Sequence, residues 1–271
     1  MTLCIAASCE DQDRNEPCIV VSSDWKAEVG DVAGAEIQNK LYWLFDESWP
    51  TLIAGTASEA HDLIACYRTH FNPKGVTRAN IGYRVRAAAL RRKAEITDEY
   101  IQARLGVNYE YFRRHKTEID QTVWSGIWND IKKLTLDCQL ILCTFVSGAP
   151  LMYQVEEDAK TWRDSNFLAI GSGSTVANSL LCFRQQDEET PLVHTLYNVY
   201  EATRFAYKAQ VPGVGRHHAF SLLYAGKNGK IESHYVRTKG TNLLKSWYEQ
   251  YGPKDTPDDL ELPDKVFKRY R

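Results

Sequence analysis

The residue with the most chemical promise is the threonine at position 2. Once Met1 is trimmed, Thr2 carries a hydroxyl and a free α-amine side by side. An α-amine ordinarily titrates near 8, low enough to take the proton of its own hydroxyl, directly or through water, as that hydroxyl attacks a carbonyl. A side-chain amine nearby would lower it further, because like charges disfavour the protonated form. Many chains expose an N-terminal threonine with no catalytic meaning. Here, however, Thr2 runs straight into the apolar segment Leu3 to Ala7, which would hold the new amine in place. Other candidates are weaker. Asp24 and Lys40, taken alone, read as an ion pair worth ~0–1 kcal/mol at a surface. Gly171-Ser172-Gly173 ahead of a helix reads as a turn or a phosphate loop, but it lacks the lysine of a P-loop and the third glycine of a dinucleotide turn. His217-His218 has no acidic or cysteine neighbour at ligand spacing, so no metal is expected.

The elements that must position these residues alternate in blocks. Leu3 to Ala7 and Cys18 to Ser22 flank a polar, Pro-containing turn and predict a hairpin. Asn39 to Phe45 and Trp49 to Ala54 predict a second hairpin, followed after Gly55 by a helix with Ser58 as its cap. Residues 77–133 are helical in pattern, with an apolar stripe at Ile119, Val123, Ile127 and Ile131 flanked by Phe112, Trp124 and Trp128. The basic stretch Arg84 to Lys93 predicts a solvated helix face. Strands return at Leu136 to Val146, Leu151 to Val155 and Phe167 to Ile170. Helices follow at Thr175 to Phe183 and Leu192 to Tyr207, then a hairpin about Asn228-Gly229, then a final helix. The Pro- and Asp-rich tail, residues 252–271, predicts an irregular arm. No linker-like stretch divides the chain, so residues 1–271 are expected to form a single domain: two antiparallel sheets with helical layers outside them.

Several motifs together resemble the proteasome β-subunit and the related bacterial HslV-like proteins, in the N-terminal-nucleophile hydrolase superfamily. A hydrophobic strand, Ile19 to Ser23, ends in Asp24, and Lys40 lies sixteen residues on, past Gly34. Leu52-Ile53-Ala54-Gly55-Thr56-Ala57-Ser58-Glu59 is similar to that family's turn into its first helix. Ala169-Ile170-Gly171-Ser172-Gly173-Ser174 is similar to its later Gly-Ser-Gly turn. The likeness covers residues 2–72 and 134–236. It implies an α+β fold, a four-layer αββα sandwich, in which residues 73–133 form an enlarged helical insert. It also implies roles: Thr2 as nucleophile, Lys40 to tune it, Asp24 to hold Lys40, the Gly55 amide as oxyanion donor and the Ser172 hydroxyl near the amine. Ile53 and Ala57 would shape a moderately apolar substrate pocket. The family's Asp and Ser at the end of its fourth helix have no counterpart in Lys208 to Gly213.

Composition narrows the partners. Among 271 residues, 44% are hydrophobic and 25% charged, and the formal net charge is −2. That balance argues for a globular protein and against a nucleic-acid or anionic-membrane surface. No apolar run reaches the roughly 18 residues of a spanning helix, and the N-terminus predicts no secretory signal. Seven scattered cysteines, an odd number without a CxxC pair, predict buried free thiols in a reducing, cytoplasmic setting. The resemblance implies a threonine-type peptidase or amidase without a cofactor. It further implies peptide or protein substrates, a homo-oligomeric ring or related assembly, and an ATPase partner. The rival expectations are a non-catalytic proteasome-like scaffold and an amidase for non-peptide substrates.

Overall fold

The computed structural model describes residues 2–24, 40–252 and 267–269. The chain opens with strands β1 (Cys4–Asp11), β2 (Glu16–Asp24), β3 (Leu41–Phe45) and β4 (Ser48–Gly55). Helices α1 (Ala57–His70), α2 (Ile81–Leu105), α3 (Tyr109–Arg114) and α4 (Gln121–Ile131) follow. Strands β5 (Cys138–Val146), β6 (Ala149–Val155), β7 (Thr161–Asp164) and β8 (Phe167–Ile170) lead to helices α5 (Ser174–Phe183) and α6 (Leu192–Lys208). The hairpin β9 (His218–Ala225) and β10 (Ile231–Val236), helix α7 (Thr238–Tyr251) and strand β11 (Phe267–Arg269) complete the order. Tertiary contacts group these into two compact units. One comprises Met1–Gly55, Gln139–Gln154 and Trp162–Arg271; the other comprises Thr56–Cys138 and Val155–Thr161. The protein is thus a mixed α+β chain. No helix among the described residues is long and apolar enough to cross a membrane.

The first unit holds two sheets, of order β11-β10-β9-β2-β1-β8 and β3-β4-β5-β6-β7. Strand β1 sits between β2 and β8, antiparallel to both. Its side chains alternate with the period of two that a pleated strand imposes. Leu3, Ile5, Ala7 and Cys9 pack with Ala177 and Leu181 of α5, Leu196 and Val199 of α6, and Leu244 of α7. Cys4 and Ala6 pack on the other side with Leu52, Ile141 and Met152 of the second sheet. Both faces of β1 are therefore covered, which explains why it reads as an unbroken apolar run. Within this unit the layers run helices, sheet, sheet.

The second unit is helical. Tyr67 of α1 donates its hydroxyl to the Val85 carbonyl of α2 at 2.7 Å. Ile101, Phe112 and Ile127 form a small core in which the rings of Phe112, Trp124 and Trp128 stack in sequence.

Several expectations need correction. The first residue of α1 is Ala57, and its cap position is Thr56 rather than Ser58; the Thr56 amide is spent on the Asp137 carbonyl at 2.9 Å. The stripe over 119–131 is not continuous. Asp120 caps α4 through the amides of Thr122 and Val123, so the helix starts after Ile119, and Val123 is turned out, 44% exposed. The basic stretch is not all solvated. Arg92 is buried, between Glu99 at 2.9 Å and Asp62 at 3.3 Å, with Glu59 at 3.6 Å. Cys182 is exposed, unlike the other six thiols. Strand β7, short and polar at a sheet edge, carried no alternation to read. Within the tail, Phe267–Arg269 pairs antiparallel with β10; Gly34, Asn39 and the rest of residues 253–271 lie outside the described residues.

Candidate active site

Three separate segments deliver Thr2, Asp24 and Lys40 to one point. Thr2 precedes β1, Asp24 ends β2 and Lys40 precedes β3. The β1–β2 register, Cys4 opposite Ser23, brings Asp24 level with Leu3. There the two residues exchange main-chain and side-chain bonds: the Asp24 amide donates to the Leu3 carbonyl at 3.1 Å, and the Leu3 amide to Asp24 Oδ2 at 3.2 Å. Lys40 is fixed through its own carbonyl, which accepts the Ile53 amide at 3.1 Å.

The side chains then close on one another. The Thr2 hydroxyl donates to Asp24 Oδ1, and the Lys40 ammonium donates to both Thr2 Oγ1 and Asp24 Oδ1. All three residues are buried. A buried carboxylate is tolerated only when its lone pairs are filled, and Asp24 meets that condition. Its Oδ1 takes the hydroxyl and the ammonium, while its Oδ2 takes two amides, those of Leu3 and of Gly215 at 3.1 Å. An ammonium donating to Thr2 Oγ1 is placed where it could offset negative charge on that oxygen, which is what a nucleophilic hydroxyl would require.

The Gly-Ser-Gly turn has a steric reason. A Cβ on Gly171 would stand 2.2 Å from the Thr2 carbonyl oxygen, and its φ of +90° is one that side chains rarely adopt. The Gly171 amide is held by Gln139 Oε1 at 2.9 Å. On Gly173 a Cβ would meet Val214 Cγ2 at 2.9 Å, and its amide reaches the Thr2 carbonyl at 3.4 Å. Ser172 lies in this turn but has a single proton to give. It donates to the Pro212 carbonyl at 2.7 Å, with the Thr2 carbonyl more distant at 3.4 Å. The segment Lys208 to Gly213, which offers no acid or hydroxyl, contributes main chain instead: Pro212 binds Ser172, and just beyond it Gly215 binds Asp24.

Two neighbours qualify the electrostatics. Cys4 donates its thiol to the Ile53 carbonyl at 3.3 Å. Burial, and then the charge of Asp24, push that thiol well above its ordinary range, so it stays protonated and does not compete as a nucleophile. His218 pairs with Asp24 in the β2–β9 register. Burial pushes its pKa down to about 4, against the pull of Asp24. Its Nε2 lies 3.0 Å from the Gly215 carbonyl. A carbonyl can only accept, so Nε2 carries the proton, and Nδ1 is left buried without a partner among the described residues.

The remaining expected site residues are less tightly joined. Gly55 ends β4 exposed, with φ of 100°, and takes no part in the hydrogen bonds of the cluster among the described residues. Ile53 is buried and tethers Lys40. Ala57 is exposed at the start of α1, in the second unit. Gln139, Gly215, Cys4 and the position of His218 behind Asp24 were not foreseen. Each acts between the sheets, across neighbouring strands or through main chain, where spacing along the sequence carries no signal. No family model matches the chain and no curated protein matches it.

Proposed function

We propose that this chain is an N-terminal-nucleophile hydrolase with a proteasome-like αββα fold, which uses Thr2, after removal of Met1, to cleave peptide or amide bonds. The observation that carries the reading is the closed group of Thr2 Oγ1, Lys40 Nζ and the Asp24 carboxylate, buried and drawn from three segments. The resemblance in the sequence required this trio, and their separations of 22 and 16 residues make a chance meeting inside the protein a poor explanation. The stack of helices and two sheets in the first unit supports the same fold.

In this mechanism the freed α-amine takes the proton of the Thr2 hydroxyl as Oγ1 adds to the substrate carbonyl. Lys40 stays charged and offsets the negative charge on the oxygen, and Asp24 keeps Lys40 in place. The Gly55 amide would donate to the oxyanion, a contribution of the order of 3 kcal/mol. Collapse of the adduct breaks the C–N bond. The leaving amine takes the proton from the α-ammonium, and an ester remains on Thr2. Water, deprotonated by the same amine, then hydrolyses that ester. Ile53, on the strand that ends in Gly55, would line the substrate pocket. A cytoplasmic homo-oligomeric ring served by an ATPase belongs to the same proposal, since enclosure keeps such a nucleophile from other proteins.

The test is to incubate the natively expressed protein with a threonine-reactive peptide epoxyketone and record intact mass. Loss of Met1 and one adduct mapping to Thr2 are expected. Retention of Met1 would overturn the enzyme reading in favour of a scaffold. A processed chain that takes no adduct would point to an amidase for non-peptide substrates.

A further inference from the structure

Far along the sequence from Thr2, the second unit gathers a different set of reactive side chains. Cys66 and His70 stand four residues apart on α1, so they share one face of the helix. Glu95 reaches the same face from α2. Their sulfur, nitrogen and oxygen atoms all lie within 4.8 Å of one another. They line a cavity of about 410 Å³ together with Asp62, Arg92 and Glu99.

The bland explanation is an exposed His–Glu pair beside a core thiol. Two features go beyond it. One is the ring's aim: His70 Nε2, the usual ligand atom, points at Glu95 Oε1 from 3.8 Å. Zinc bonds of about 2.0–2.3 Å in a tetrahedron set ligand atoms about 3.3–3.6 Å apart. The three atoms, within 4.8 Å of one another, would close by up to ~1 Å, with the Cys66 thiol turning from the Ala88 carbonyl that it reaches at 3.6 Å. The other is charge. Three carboxylates line this cavity against one guanidinium, Arg92, which leaves the cavity attractive to a cation. Arg92 need not leave. It lies 3.8 Å from Glu95 Oε2, whereas His70 pairs with Oε1, so it can orient the carboxylate as an outer partner of the metal does. Arg91 donates to Oε1 at 3.2 Å, and a carboxylate oxygen has a second lone pair for the ion.

We propose that Cys66, His70 and Glu95 form a binding site for a zinc-type divalent ion. Three protein ligands leave the fourth position to water, and the thiol gives up its proton to solvent when the metal–sulfur bond forms. A thiolate with an imidazole and a carboxylate is a donor set that selects Zn²⁺ or Co²⁺ over Mg²⁺ or Ca²⁺. Because the ligands come from α1 and α2, the ion would pin the two helices together and stabilise the unit by mass action.

The experiment is an anaerobic titration of the full chain with Co²⁺, followed by absorption. A near-ultraviolet thiolate-to-cobalt band and the visible bands of four-coordinate cobalt are expected, both displaced by Zn²⁺. His70→Ala, at a 40% exposed side chain, leaves the fold intact and should weaken Co²⁺ binding by at least the ~10-fold that even an outer-sphere change costs. It should also abolish the rise in melting temperature with Zn²⁺. Cys66→Ala should remove the near-ultraviolet band. No such band, or a band and affinity unchanged in either variant, would overturn the site.

Discussion

Among the described residues, two ion pairs of the first unit are shielded from water, and they differ in what they enclose. Arg184, at the end of α5, meets Glu201 of α6 through two N–H donors at 2.8 and 2.9 Å, with side chains 7% and 0% exposed. Lys40 and Asp24 are as well hidden, at 10% and 0%. The arginine fork spends both carboxylate oxygens on one partner, a geometry that fixes two helices and leaves nothing to react. The lysine is a point charge. It holds one carboxylate oxygen and still reaches a hydroxyl, so the second pair contains a group able to do chemistry. Burial and opposite charge therefore do not distinguish a site from a strut. The third member does.

The harshest way to break this contrast leaves both pairs' charges untouched. Gly171→Ala drives a Cβ to 2.2 Å from the Thr2 carbonyl oxygen at a positive φ. The backbone penalty alone is about 1–2 kcal/mol, and the clash brings the expected loss to about 4 kcal/mol or more. Gly106→Ala is the control, with φ of +70° and nothing within 4 Å; it should cost only the backbone penalty. Urea unfolding of the two variants measures the difference, and similar losses would mean that Gly171 does not pack on Thr2.

Next in size are the pairs themselves. Lys40→Met and Arg184→Met each leave a buried carboxylate without its cation, at a cost of up to roughly 3–5 kcal/mol. Stability should therefore not tell them apart. Epoxyketone labelling of the folded fraction should: Arg184→Met is expected to label as the parent does, and Lys40→Met not at all. Undiminished labelling of Lys40→Met would refute the role given to that ammonium.

A milder perturbation acts from behind Asp24. The His218 pKa falls from its ordinary 6.5 to about 4 in the folded chain, so the unfolded chain takes up this proton first. Between those values the unfolded state binds more protons, and stability falls as pH drops from about 6.5 toward 4. The loss is at most roughly 3 kcal/mol. His218→Gln should remove that part of the slope in urea midpoints measured across the window. An unchanged slope would show that His218 is not the group responsible.

How much of this was legible depends on what each residue touches. Asp24 and Lys40 sit at strand ends marked by apolar runs, so the resemblance could be carried onto them and their meeting at Thr2 expected from it. Arg92 could not be read, because its pairing with Glu95 and Glu99 on its own helix fits a solvated face equally well, while Glu59 and Asp62, which help enclose it, lie on another helix. Gly171 and Gly173 were visible as a turn, yet their reason lies in Thr2, Leu3 and Val214, remote in sequence. For the same cause Cys66 and His70 show a helical spacing, while Glu95 joins them only through the packing of α1 on α2. Period and punctuation are local signals; the partners that give a polar residue its role are not.

The smallest effect concerns Ser172, and it separates two views of that hydroxyl. The resemblance assigns it to the neighbourhood of the Thr2 amine, where its loss should slow acylation sharply. The observed hydrogen bond instead runs to the Pro212 carbonyl, at an exposed turn, and such a bond contributes about 0.5–1.5 kcal/mol net. Ser172→Ala should therefore lower stability by no more than about 1.5 kcal/mol. Its effect on labelling would be indirect, through a loosened segment whose next contact is the Gly215 amide on Asp24. A labelling rate within ~10-fold of the parent, the equivalent of about 1.4 kcal/mol in the barrier, fits a structural hydroxyl. A much larger drop with unchanged stability would return Ser172 to the reacting group and make the pair around Thr2 a cluster of four.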